Sequence, residues 1–169
     1  IPFCTEIAQR WGIDATAVVG VEDEIAATKA FTRGQGLDAA VFAFGGDGNR
    51  ALESTRACLK CAPDGHPYGR IVVVGLSHFN WVPGSPMTNI DIRQASRTGP
   101  GYHDDHWETG PGYPPVFMRW TTRTNLELCM RLIAEGKLNV DALTTHIIPL
   151  HDVDAAILAI ISEPDKILG

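Results

Sequence analysis

Several stretches of this sequence place chemically capable residues close together. Gly45-Gly46-Asp47-Gly48 follows an apolar run and opens a helix-like segment, so its glycines could let a ligand reach bare backbone at the carboxyl end of a strand. The same residues also read as a tight turn in which Asp47 caps the following helix, and the sequence leaves both readings open. Gly75-Leu76-Ser77 ends the next strand-like run and would face the same crevice. Gly34-Gln35-Gly36-Leu37-Asp38-Ala39 matches G-x-G-x-x-A as a string but follows a helix and precedes a strand. Cradling a pyrophosphate needs the opposite order, with amides at a helix N-terminus facing the phosphates, so these glycines read as a helix stop.

Two further stretches carry metal-binding residue types. Cys58-x-x-Cys61 followed by His66 copies three ligands of a zinc knuckle, but the fourth position, Ile71, cannot bind metal. Zinc is therefore not expected within this chain, and Cys58 and Cys61 read as small apolar residues of a helix. His103-Asp104-Asp105-His106-Trp107-Glu108 is dense in oxygen and nitrogen donors. It reads either as a solvated loop or as a divalent-metal site, and a metal-dependent hydrolase using His103, Asp105 and His106 is the function the second reading implies. No G-x-S-x-G elbow follows a strand, which argues against a serine nucleophile.

The elements that would position these residues follow from periodicity. Thr5 to Trp11 reads as a helix closed by Gly12, Ala15 to Val19 as a buried strand, and Glu22 to Phe31 as a helix with an acidic first turn. Ala39 to Phe44 is a continuous apolar run that predicts a strand covered on both faces. Asn49 to Cys61 reads as a helix with Leu52, Thr55 and Leu59 on one side, and Ile71 to Leu76 as the clearest strand. Strand, helix, strand, helix, strand predicts a parallel sheet with crossover helices. Residues 77–121 are rich in Pro, Gly and Trp and read as a long irregular segment, with one strand at 90–95. Asn125 to Glu135 (helix, stopped by Gly136), Thr145 to Leu150 (strand) and Val153 to Ile161 (helix) follow.

Composition excludes several classes. The 169 residues suffice for a domain with a core, and 44% hydrophobic with 20% charged residues is ordinary for a globular chain. A net charge of -6 argues against nucleic-acid or anionic-membrane partners, which need a basic face. No apolar run reaches the roughly 18 residues of a membrane span. The four cysteines, Cys4, Cys58, Cys61 and Cys129, lie in or beside helix-like stretches, which predicts reduced thiols and a cytoplasmic protein.

Several segments resemble the C-terminal part of medium-chain, zinc-alcohol-dehydrogenase-like dehydrogenases. Arg33 to Val41 resembles the glycine-rich approach to their fourth Rossmann strand, and Gly69 to Leu76 the strand that follows. Leu132 to Leu138, Thr145 to Leu150 and Val153 to Ala156 are similar to the stretch where the chain returns to the catalytic domain. Ala95 to Asp104, Tyr113-Pro114, Arg119-Trp120-Thr121 and Asn125 resemble the dehydrogenase module of bi-domain oxidoreductases.

The resemblance implies an incomplete three-layer Rossmann-type α/β fold with a parallel sheet, lacking the first strands and the G-x-G-x-x-G turn. The chain opens on Ile1-Pro2 without an initiator Met, which fits a sequence continuing upstream. The implied domains are 1–76 as part of a nucleotide-binding domain, 77–121 as a family-specific segment, and 122–169 as the closing helices. The implied activity is NAD- or NADP-dependent hydride transfer on an alcohol, carbonyl or sugar-type substrate. Phe44, Gly45, Gly46, Gly75, Leu76 and Ser77 would lie against nicotinamide and ribose. Arg97, Tyr102, Arg119 and Asn125 are candidates for substrate or cofactor contact; Arg97 and Arg119 could equally pair with Asp104, Asp105 or Glu108. The rival reading is a non-catalytic binding or dimerisation module, a homodimer formed through an edge strand near Ile90 to Ala95.

Overall fold

The computed structural model describes residues 2–82, 89–95, 104–105, 113–114, 116, 118, 120–163 and 166–167. In chain order the elements are α1 (Pro2–Trp11), α2 (Glu24–Phe31), β1 (Ala39–Phe42), β2 (Gly46–Asp47), α3 (Asn49–Cys58), β3 (Lys60–Cys61), β4 (Pro67–Val73), β5 (Ser77–His78), β6 (Ile90–Gln94), α4 (Thr122–Ala134) and α5 (Val153–Ser162). They fall into two compact units, Asp23–Asn125, and Ile1–Glu22 with Leu126–Gly169.

The first of these units is built on β4. β1 and β6 flank it, both parallel to it, with Ala40 and Ile92 each in register with Ile71. β3 adds a short antiparallel pair at Pro67–Tyr68. Strand alternation then decides the core. Phe42, Ile71, Val73 and Ile90 project to one face and pack with Leu52 of α3 and with Leu59. Ile71 is 0% and Leu52 2% exposed.

The opposite face differs from the expectation of a strand covered on both sides. Val41 is 63% exposed there. A continuous apolar run cannot reveal which face a helix will cover, and here the packing of Leu52 covers one. Alongside Val41's face, the Asp91 carboxylate pairs with Arg93 at 3.1 Å and Arg70 at 3.2 Å. The Arg93 hydrogen bond, then the Arg70 bond, holds the Asp91 carboxyl below its ordinary range.

Helix α2 starts where Asp23 accepts the N–H groups of Ile25 and Ala26 at 3.1 and 2.9 Å. Asp23→Ala leaves both donors without that partner and is expected to cost about 1 kcal/mol. Thermal unfolding followed by circular dichroism should show a fall of roughly 2–4 °C. After α2 the chain passes through Gly36, whose φ is +77° and where a Cβ would stand 2.8 Å from the backbone of Leu59 and Lys60. Leu37 pairs with Leu59 there: Leu37 N–H donates to the Cys58 carbonyl, and Lys60 N–H to the Leu37 carbonyl. This pairing draws Leu59 into an extended conformation (ψ 160°), so α3 ends at Cys58 and not at the expected Cys61.

In the other unit, α1 holds the buried Ile7, 2% exposed. The strand expected at Ala15 to Val19 does not form. Val18 and Glu22 close a local turn instead, through Glu22 N–H to the Val18 carbonyl (3.0 Å) and Val18 N–H to the Glu22 carboxylate (2.6 Å). Thr145 to Leu150 is likewise not a strand: it takes no extended ladder among the described residues and leads into a 3-10 turn at Leu150, and Ile147 is 93% exposed. Helix α4 begins in the Asp23–Asn125 unit, on reciprocal bonds between Thr121 and Thr124, each hydroxyl accepting the other's N–H, and continues into this one from Leu126. Helix α5 is apolar over most of its length. Among the described residues no helix is long and apolar enough to cross a membrane.

Candidate functional site at the twin corners

Because β1 and β4 run parallel in register, their carboxyl ends share one edge, where open α/β sheets bind ligands. Beyond Phe42 and Val73 the two chains turn through 43–45 and 74–76. They then pair again in parallel as β2 and β5, Gly46 with Ser77 and Asp47 with His78. The corners are tied directly. Val74 and Gly75 N–H both donate to the Phe42 carbonyl (2.9 and 3.3 Å), Gly46 N–H to Leu76 (3.3 Å) and Gly48 N–H to His78 (2.8 Å).

The glycines of the two corners do different work. A Cβ on Gly75 would stand 2.2 Å from the Phe44 carbonyl oxygen, so Gly75 is what lets one corner lie on the other. Gly45 and Gly46 would meet nothing within 4 Å, which leaves their backbone open to an incoming group, and Gly46 has a φ of +95°. Apolar groups border this opening. Phe44 is 37% exposed, with its ring 5.6 Å from that of Phe42, and Leu76 is 86% exposed.

Ser77 supplies the polar feature. Its Oγ is sealed from solvent and has no hydrogen-bond partner among the described residues. Such a group costs roughly 1–3 kcal/mol unless something satisfies it, and a bound ligand or an ordered water is the ordinary explanation.

Electrostatics limit what that ligand can be. The Asp47 carboxyl is held below its ordinary range, first by the N–H of Asn49, then by the Asn49 carboxamide and by nearby His78. A persistent carboxylate at this edge opposes a phosphate. Arg50, the cation next in sequence, is turned to Glu24 at 3.8 Å. The corners therefore suit a partly apolar ring or sugar that carries no negative charge. Of the two readings of Gly45-Gly46-Asp47-Gly48, the turn is present: Asp47, one position before the N-cap Gly48, accepts the N–H of Asn49, the first residue of α3, on Oδ1 at 2.9 Å.

Thus Phe44, Gly45, Gly46, Gly75, Leu76 and Ser77 are brought to one edge. Arg97, Tyr102 and Arg119 lie outside the described residues, as do His103, His106, Trp107 and Glu108. Asn125 lies in the first turn of α4, half-buried, with its N–H on the Thr121 carbonyl at 2.9 Å. Asp104 accepts the Tyr113 hydroxyl at 2.5 Å, which holds that hydroxyl's pKa above its ordinary value. Cys58 is buried at the end of α3, whereas Cys61 is exposed on β3, and all four thiols are free. His66 is engaged by Asp64, at 3.3 Å from its ring. Among the described residues no group of three or more His, Cys, Asp and Glu side chains is placed to hold a metal ion. Sequence reasoning missed Asn49 and Asn80, which join the corners: the Asn49 carboxamide accepts the Asn80 N–H at 2.8 Å. No local signal marks them, since the contact joins residues far apart in sequence.

No protein-family model matches the sequence, and no curated protein matches it. Solved structures do match. AibC shares 20% identity and a TM-score of 0.63, with 97% of this chain and 40% of that one covered. The CurK enoyl reductase shares 16% (TM-score 0.59), over 99% of this chain and 43% of that one. The alcohol dehydrogenase of the hyperthermophilic archaeon Aeropyrum pernix shares 17% (TM-score 0.57), over 97% and 38%. The chain thus spans less than half the length of each. What it shares with them is the fold: a mixed α/β architecture with parallel strands, a partial Rossmann-like arrangement.

Proposed function

We propose that the twin corners receive the nicotinamide and ribose of NAD or NADP, and that the chain is part of an oxidoreductase acting on an alcohol, carbonyl or sugar-type carbon. The observation that carries this reading is the open backbone of Gly45 and Gly46 at the carboxyl edge of parallel strands, with Ser77, whose hydroxyl has no partner among the described residues, in register with Gly46. Ser77 can donate to or accept from a carboxamide or a ribose hydroxyl. Phe44 and Leu76 offer apolar surface to a planar ring, and Gly45 and Gly46 let it approach the main chain. Bound nicotinamide supplies hydride transfer; this chain's residues orient the ring and exclude water beside it. The pyrophosphate has no seat at these corners, because Asp47 occupies the edge as a carboxylate.

Fluorescence titration with NADH and NADPH tests the reading. At least one should bind, and Ser77→Ala should weaken it about five- to tenfold, the value of one hydrogen bond. The same substitution should leave stability unchanged or raise it, since it removes a buried polar atom that lacks a partner among the described residues. If neither nucleotide binds, the cofactor reading falls.

A second reading is favoured by β6, which among the described residues pairs only with β4 and so leaves an edge. A homodimer joined edge to edge through β6 would give a binding or assembly module. Analytical ultracentrifugation checks it: a monomer at every concentration removes that role.

A further inference from the structure

The bonds between the corners follow a parallel ladder with one substitution. Gly46 N–H donates to the Leu76 carbonyl, and Gly48 N–H to that of His78. The next rung of a parallel pair would carry the Asn80 N–H to the Gly48 carbonyl. That carbonyl is already turned into α3, where it accepts the Leu52 N–H at 2.9 Å. The Asn80 N–H instead meets Oδ1 of Asn49 at 2.8 Å. The other end of the same carboxamide donates to Asp47 Oδ1 at 2.7 Å, which fixes which way the group points.

We infer that Asn49 is a positioning residue of this edge. Its side chain stands in for the Gly48 carbonyl and holds residues 77–80, and with them Ser77, in register over the first corner. The chemistry is specific to a carboxamide. It must accept from the Asn80 N–H and donate to a carboxylate; a carboxylate at 49 loses the donor and faces Asp47 with like charge, and alanine loses both bonds. The tie between the corners stands on these bonds alone, and its value to a ligand rests on the cofactor reading.

The test is amide hydrogen exchange on the 169-residue chain. Asn49→Asp and Asn49→Ala should each speed exchange at Asn80 by about tenfold, through local opening, while the β4 amides keep their protection. The double variant Asp47→Asn with Asn49→Asp exchanges the donor and acceptor roles. The carboxamide then at 47 can donate to the carboxylate at 49 and still cap its N–H, so Asn80 protection should return to within about threefold of the parent. A general packing role for Asn49 predicts no such recovery. Unchanged exchange at Asn80 in both single variants, or no recovery in the double variant, overturns the inference. NADH titration of the same variants keeps the two claims apart: affinity that falls and recovers with Asn80 protection extends the tie to the ligand, whereas no binding in any variant, the parent included, removes the cofactor reading and leaves the exchange comparison to decide on Asn49.

Discussion

Gly75→Ala is expected to destabilise the Asp23–Asn125 unit by roughly 2–3 kcal/mol, a large effect for one added methyl group. The cause is a backbone collision. The new Cβ would stand 2.2 Å from the Phe44 carbonyl oxygen and 2.8 Å from its carbon, and main chain held by ladder bonds on either side cannot rotate away as a side chain would. The relief available is separation of the corners, which breaks the bonds of Gly75 to Phe42 and Gly46 to Leu76. Native-state hydrogen exchange at the β1 and β4 amides should report the loss directly. Gly45→Ala is the matched control, because a Cβ there meets nothing within 4 Å. It should alter stability by no more than about 0.5 kcal/mol. Equal stability of Gly75→Ala and the parent would show that the corners do not lie against each other.

Ile71→Ala should have the largest effect of any single truncation, roughly 2–5 kcal/mol. Ile71 is on the central strand, is 0% exposed, and is in register with Ala40 on one side and Ile92 on the other. Small Ala40 cannot fill the space its truncation would leave. Val41→Ala, one residue along from Ala40 on β1, truncates a side chain that is 63% exposed on the opposite face. It should cost no more than about 0.5 kcal/mol. Urea denaturation of the two variants thus measures the asymmetry of the sheet. Comparable losses would mean that both faces are covered, as the apolar run on its own suggests.

The parts of the fold legible in the sequence were those whose signal is local or whose partner is close. β1 and β4 were readable as apolar runs, and their parallel pairing followed from the helix between them. The shared edge of Gly45-Gly46 and Gly75-Leu76-Ser77 followed in turn. Two expected strands failed because a strand is a pairing and not a composition. Val18 and Glu22 satisfy one another within a single turn, and Thr145 to Leu150 joins no sheet among the described residues. Helix α3 was overrun by three residues because the competing bond partner, Leu37, lies on the far side of β1 in sequence. β2 and β5 were invisible for a related reason. Gly46-Asp47 and Ser77-His78 have no strand propensity and pair only because the corners before them bring them together. At the site itself, the glycines were legible as a class, but not their division of labour. Only coordinates separate Gly75, which meets main chain, from Gly45, which meets nothing.

The pairing on either side of the turns has an evolutionary consequence. Phe42 opposes Val73 and Gly46 opposes Ser77, so the connecting spans 43–45 and 74–76 are equal in length. Inserting or deleting one residue in a single span would slip β2 against β5 and invert which side the residues of the shifted strand face. The two turns can therefore lengthen or shorten only together, and homologues should carry compensating indels at these positions or none at all.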